Sequence, residues 1–162
     1  MKIRVIISSE KEKEIMLGAK EITDIMGFDI GYTDIGGSSF EDLKNEILEW
    51  EKDTEIYIVT AAENLELPKL IAQNTKRPVI AVPIKTEKYK SLELLESVVN
   101  MGSEGPYCTV AINGAANSAL LACQMIGAKD EKMYERLEEY REELKNMVAE
   151  KERLLLEKIS AV

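Results

Sequence analysis

Short apolar runs rich in β-branched residues alternate along the chain with stretches in which apolar residues recur at helical spacing. Ile3 to Ile7 reads as a buried strand, and Ser8-Ser9-Glu10-Lys11-Glu12 as the turn into a helix that runs to about Met26. Ile15, Gly18, Ala19, Ile22, Ile25 and Met26 give that helix one apolar or small face, and Gly27 ends it. Phe28 to Tyr32 is a second strand. Ser39 is placed to cap the next helix, with Asp42 three residues on and Phe40, Leu43, Ile47 and Trp50 along one side. Ile56-Tyr57-Ile58-Val59 is a third strand, and a helix from about Pro68 follows it. Pro78 to Ile84 is a fourth, with prolines near its ends where a missing donor does least harm. Ser91 to Val99 reads as a short helix, residues 101–106 as a loop and Tyr107 to Ile112 as a fifth strand. Asn113-Gly114 turns into an alanine-rich helix, Ala115 to Ile126.

Strands and helices in strict alternation predict a doubly wound parallel sheet of five strands with helices on both faces, in one domain over residues 1–162. Ligands of such sheets gather outside the carboxyl ends of the strands. The loop Thr60 to Pro68 after the third strand is therefore the expected binding loop, and Glu63 and Glu66 make it acidic. The last predicted helix, 130–158, is long for a domain of this size. Met133, Leu137, Tyr140, Leu144 and Met147 step along it as a narrow apolar seam, continued by Leu154-Leu155-Leu156, which predicts packing on another subunit.

Composition narrows the function. With 30 acids against 21 bases the net charge is −9, which argues against nucleic acid or an anionic membrane as partner. No apolar run approaches membrane-spanning length. Met1-Lys2-Ile3-Arg4 passes straight into a strand, so no secretory leader is expected and a cytoplasmic location is. Cys108 and Cys123 are too few for a disulfide framework or a zinc site and read as core thiols. The chain contains no histidine. Histidine-based nucleophilic catalysis and histidine-ligated metals are excluded, so proton transfer near neutrality falls to Glu, Asp, Lys, Tyr, Cys or water. No metal or cofactor is expected.

The second half of the chain carries a more specific pattern. RPVIAVPI, SLELLESVVNM and GPYCTVAINGAANSALLACQMIGAKDEKMYERLEEYREEL together resemble the PurE family, which makes carboxyaminoimidazole ribonucleotide in purine synthesis. Its members move a carboxylate within N5-carboxyaminoimidazole ribonucleotide or use carbon dioxide directly. The likeness extends over nearly the whole chain, with a short deletion before Glu55. It implies a flavodoxin-like three-layer fold and a homo-octamer whose terminal helices reach onto neighbours. Tyr140 and Arg141 match a structural Tyr-Arg of that helix.

The family's site motifs are altered. Its first loop, Gly-Ser-x-Ser-Asp, cradles the phosphate and holds the ribonucleotide; here it reads Ser8-Ser9-Glu10-Lys11-Glu12. Its Ser-Ala-His-Arg-Thr-Pro motif, with a catalytic histidine and a phosphate-binding arginine, reads Gly36-Gly37-Ser38-Ser39-Phe40-Glu41. A third motif ends in Ala-His-Leu-Pro-Gly; Glu66 stands at its histidine, Leu67-Pro68 is kept and Lys69 replaces the glycine. Its Gly-x-Asp reads Ser91-Leu92-Glu93. By this correspondence Glu66 and Ser38 occupy the catalytic positions, and Ser8, Ser9, Glu12, Ser39, Ala61, Glu63 and Lys69 the ligand-binding ones. Glu10, Glu63 and Glu66 oppose a phosphate in the cleft, with Lys11 and Lys69 as the compensating cations. The favoured expectation is a family member without the standard carboxyl transfer, which binds another small ligand or serves in assembly or regulation. The alternatives are an active carboxylase or mutase with a histidine-free site, and another enzyme that uses Glu66 as acid/base.

Overall fold

The computed structural model describes residues 2–100 and 105–160. By its contacts the chain divides into two compact units, Met1–Ala122 and Cys123–Val162. The first contains a five-stranded, all-parallel sheet in the order β2-β1-β3-β4-β5. Its strands are β1 (Lys2–Ile7), β2 (Asp29–Asp34), β3 (Ile56–Ala61), β4 (Val79–Pro83) and β5 (Cys108–Thr109). Between them run α1 (Glu10–Met26), α2 (Phe40–Trp50), α3 (Leu67–Asn74) and α4 (Ser91–Val99), and α5 (Ala115–Gly127) follows. The doubly wound five-stranded sheet of the sequence reading is thus present, and it has the flavodoxin-like strand order.

Burial on both faces explains why the central strands are continuous apolar runs rather than alternating ones. All six residues of β3 and all five of β4 are buried. On one face, Ile6, Tyr57, Val59 and Val79 pack with Leu43 and Ile47 of α2 and with Leu67 and Ile71 of α3. Ala61 and Ala81 continue that face and meet Val98 of α4. Elsewhere Gly18 of α1 lies against the start of α5: a Cβ there would stand 3.7 Å from Ala116 N and 3.8 Å from Ala115 Cβ. The small residues of both helices permit that approach.

Three details differ from the sequence reading. The buried side of α1 follows Glu12, Met16, Ala19, Ile22, Thr23 and Met26, so Ile25 faces solvent at 47 % exposure. The stripe is turned about one residue, toward Met16, and takes in two polar side chains that hydropathy alone assigns outward. Phe40, in the first turn of α2, is 56 % exposed, while Leu43 and Ile47 carry the packing. The predicted strand Tyr107 to Ile112 contributes only Cys108–Thr109 to the ladder. As an edge strand it has one neighbour, and beyond Thr109 it keeps single bonds to β4, from Val110 N to Ala81 O and from Asn113 N to Pro83 O.

Helix boundaries otherwise follow local chemistry. Gly27 ends α1 in the left-handed region at φ 73°. Ser39 caps α2 by accepting from Asp42 N. Pro68 sits in the first turn of α3, where its missing N–H is harmless. Of the predicted loop at 101–106, residues 101–104 lie outside the described residues.

In the second unit α6 (Glu131–Ser160) buries Met133 and Leu137. The turn before it is tight, since a Cβ on Gly127 would lie 3.3 Å from Leu137 Cδ1. Farther along, Leu144, Met147, Val148, Leu154, Leu155, Leu156 and Ile159 are exposed. No described helix is long and apolar enough to cross a membrane.

Candidate functional site

The chain runs from β1 outward to β2 and then crosses back to β3, so the winding direction reverses between β1 and β3. Loops diverge at such a point and leave a crevice at the carboxyl ends of the strands. A cavity of about 630 Å³ lies there. Ser9, Lys11, Glu12 and Ile15 line it from the β1–α1 segment, Ala62 and Glu63 from the loop after β3, and Ile84, Lys85, Thr86, Glu87 and Lys88 from the loop after β4.

Glu12 is the most constrained group in this wall. It is 2 % exposed, in the first turn of α1. One carboxylate oxygen, Oε1, accepts from Ser8 Oγ at 2.6 Å and from Ser9 Oγ at 3.2 Å. The other, Oε2, accepts from Ser8 N at 2.9 Å and from the Thr60 hydroxyl on β3. Two donors per oxygen fill the lone pairs of a carboxylate. Thr60 Oγ1 also lies 3.2 Å from Ile6 O. It has one proton to give, and the charged, closer acceptor takes it.

The β4–α4 loop is the opposite wall. Lys85 N donates to Asn113 Oδ1 at 2.9 Å, which ties this loop to the turn before α5. Lys88 Nζ lies 5.0 Å from the centroid of the Tyr89 ring. The Lys88 ammonium is held above its ordinary pKa chiefly by its hydrogen bond to Tyr89, with the Glu63 carboxylate adding to the effect. Thr86 Oγ1 is enclosed and has no hydrogen-bond partner among the described residues.

The residues singled out from sequence are not gathered into one place. Ser9, Glu12 and Glu63 line the cavity, and Ser8 stands behind Ser9 on Glu12. Ala61 is fully buried in the core with Ala81 and Val98. Ser38 and Ser39 are exposed at the start of α2, where Ser39 is engaged with Asp42. Glu66 is exposed at the N-cap of α3, its N–H donating to Asn64 Oδ1 at 3.1 Å. It lines a separate groove of about 530 Å³ with Glu63, Asn64, Leu65, Tyr89, Ser97 and Asn100. Lys69 lines neither; its charge acts on Tyr107, whose pKa burial raises and Lys69 pulls back.

The charge balance therefore differs from the acid-dominated cleft of the sequence reading. Three ammonium groups, Lys11, Lys85 and Lys88, face three carboxylates, Glu12, Glu63 and Glu87. Glu10 is paired with Lys13 on the outside of α1 at 2.9 Å. Sequence reasoning passed over Lys85, Thr86 and Lys88, in the loop after β4. The signal was available, because a loop after a central strand faces the same crevice as the loop after β3.

The sequence model of the AIR carboxylase family matches residues 2–147. The chain belongs to that family. An N5-carboxyaminoimidazole ribonucleotide mutase of Thermotoga maritima is 34% identical over 155 residues, covering 93% of this chain and 89% of that protein. The mutase of Pyrococcus horikoshii is 34% identical over 157 residues, covering 96% and 89%. The fold agrees with the crystal structure of Treponema denticola PurE2 carrying a serine-to-aspartate substitution. The TM-score is 0.80 at 18% identity, over 95% of this chain and 97% of that one. Treponema denticola PurE gives 0.78 at 17% identity, over 95% and 98%.

Proposed function

We propose that this AIR carboxylase family member binds a small polar ligand in the crevice at the carboxyl ends of β1, β3 and β4, and that it does not run the histidine-driven carboxyl transfer. One observation carries the reading: the two positions that the PurE resemblance assigns to histidine, Ser38 and Glu66, hold exposed side chains outside the cavity, in a chain without histidine. Moving a carboxylate on a carbon of an imidazole needs a proton donated or removed there by a group poised near neutrality. A serine hydroxyl is not such a group. Glu66 is exposed and does not line the cavity, so it makes no contact with a ligand held there. Binding itself is well provided for. The cavity volume falls in the range of small-molecule sites, and the enclosed Thr86 hydroxyl is a donor that a bound polar group would satisfy. Family membership ties the ligand to the chemistry of purine biosynthesis by analogy. Exposed apolar residues along α6 support self-association, with an octamer as the family expectation.

A second reading has its own support. The groove that contains Glu66 also contains Glu63 and Tyr89. A ligand seated in this groove would meet the Glu66 carboxylate directly, which would then serve as a histidine-free acid/base. The 34% identity to named mutases favours the same reading.

Calorimetric titration with aminoimidazole ribonucleotide and its carboxylated forms, run beside a carboxylation assay, separates the two. No turnover is expected. Turnover abolished by Glu66→Gln would establish the second reading in place of the first.

A further inference from the structure

We propose that Glu12 determines the charge class of the ligand: its carboxylate occupies an anion pocket formed by the β1–α1 loop and Thr60, and so keeps a ligand's phosphate or carboxylate out of that loop. The proposal deepens the reading of the crevice as a ligand site and rests on it. Four donors from two separate parts of the chain converge on one carboxylate, the Ser8 N–H and the hydroxyls of Ser8, Ser9 and Thr60. They stand at the start of a 17-residue helix, whose own field favours negative charge there. A backbone N–H, three hydroxyls and a helix start converging on one point are what an oxyanion requires. Here the oxyanion is part of the protein.

Ordinary helix capping does not account for the arrangement. Ser9 and Glu12 are spaced as a capping box, in which the serine oxygen accepts from the backbone of the first turn. In this structure the Ser9 side chain makes no cap bond, and its hydroxyl points the other way, donating to Glu12. The carboxylate reaches Ser8 N rather than the N–H of the cap residue. It is also tied across the crevice to β3, which a solvated capping glutamate never is. The expected ligand therefore presents no anionic group to this loop, and meets the Lys11, Lys85 and Lys88 ammonium groups from the open side of the cavity.

The test compares wild type, Glu12→Ala and the double variant Glu12→Ala with Thr60→Val. Inorganic phosphate and acetate are titrated against chloride at matched ionic strength, and melting temperature and the Ser8 and Ser9 amide resonances are read. Wild type is expected to show neither a specific rise in melting temperature nor movement of those amides. Glu12→Ala is expected to melt lower, to be restabilised saturably by either oxyanion, and to show both amides moving. Adding Thr60→Val should weaken that affinity about tenfold, as loss of one hydrogen bond to a charged group does. Phosphate-dependent shifts of Ser8 in wild type would overturn the proposal, and so would a folded Glu12→Ala that ignores both anions. If Glu12→Ala is unfolded in chloride, recovery of its folded circular dichroism in acetate or phosphate supports the pocket, and no recovery overturns it. The outcome is independent of catalysis. Turnover of aminoimidazole ribonucleotide with a silent Ser8 would sink the functional reading and leave this one; a phosphate-responsive wild-type loop without turnover would do the reverse.

Discussion

At position 12 the chain carries its carboxylate on one more methylene than the aspartate of the PurE motif. From the first turn of α1 the longer arm turns back to Ser8 and across to Thr60. Sequence marked this position as part of the ligand site, and the structure puts it in the cavity wall. The direction of the bonds was not legible, because a hydroxyl serves as donor or acceptor and only the surrounding geometry selects. Cys123 was legible: a lone thiol on an alanine-rich helix reads as core, and it is fully buried. Burial pushes that thiol from an ordinary 9.0 up to about 11. In the unfolded chain the thiol ionises first, so in that window the folded state holds more protons. The contribution to stability is complete below pH 9.0 and drains away as pH rises toward about 11. Over two such units it amounts to roughly 2–3 kcal/mol. In urea unfolding, the stability advantage of wild type over Cys123→Ala should therefore be largest at neutral pH and shrink steadily above pH 9.0. A difference independent of pH would place the thiol in contact with solvent.

At the scale of elements, apolar runs and helix punctuation carried nearly everything. α4 begins and ends where the pattern put it, and the Gly27 and Ser39 boundaries hold. What local pattern could not supply was pairing: β5 enters the ladder only at Cys108 and Thr109, opposite Ile80 and Ala81, and the face of α1 is set by what packs on it. The Asn113-Gly114 turn shows local and long-range demands meeting in one residue. Asn113 sits at φ 57°, a left-handed conformation that asparagine tolerates, and its side chain accepts from Lys85 N in the cavity wall. Alanine would lose the bond and take on the backbone strain, whereas glycine would lose only the bond and add unfolded-state entropy. Both variants should be less stable than wild type, with Asn113→Ala lower by a further ~1 kcal/mol. Hydrogen exchange should report faster protons at Lys85 in both. Equal stability of the two variants would mean that the turn relaxes out of the left-handed region.

For the whole molecule, the point at issue is what covers α6. Beyond Leu137 this helix exposes Leu144, Met147, Val148, Leu154, Leu155, Leu156 and Ile159. Along the same stretch run surface pairs such as Arg153 with Glu150 at 2.7 Å and with Glu157 at 2.5 Å. Such pairs sustain a solvated helix but contribute little to stability. Seven apolar side chains on one thirty-residue helix are another matter, since each exposed leucine forgoes about 1.5–3 kcal/mol available on burial. Leu144, Met147 and Leu154 continue the seam that begins with Met133 and Leu137. They keep its four-three rhythm with Lys151 in the intervening place, the spacing by which one helix seats on another. We therefore expect the purified chain to be an oligomer by light scattering at micromolar concentration, with a mass that is a whole multiple of 18.2 kDa. The double substitution Met147→Glu with Leu154→Glu should lower that mass while far-ultraviolet circular dichroism of the sheet unit is kept, because neither residue belongs to its core. If the mass is unchanged, the seam is not the interface, and the assembly must rest on the sheet unit. If wild type is itself a monomer whose melting temperature is insensitive to concentration, the exposed apolar face of α6 has no partner in a second copy of the chain.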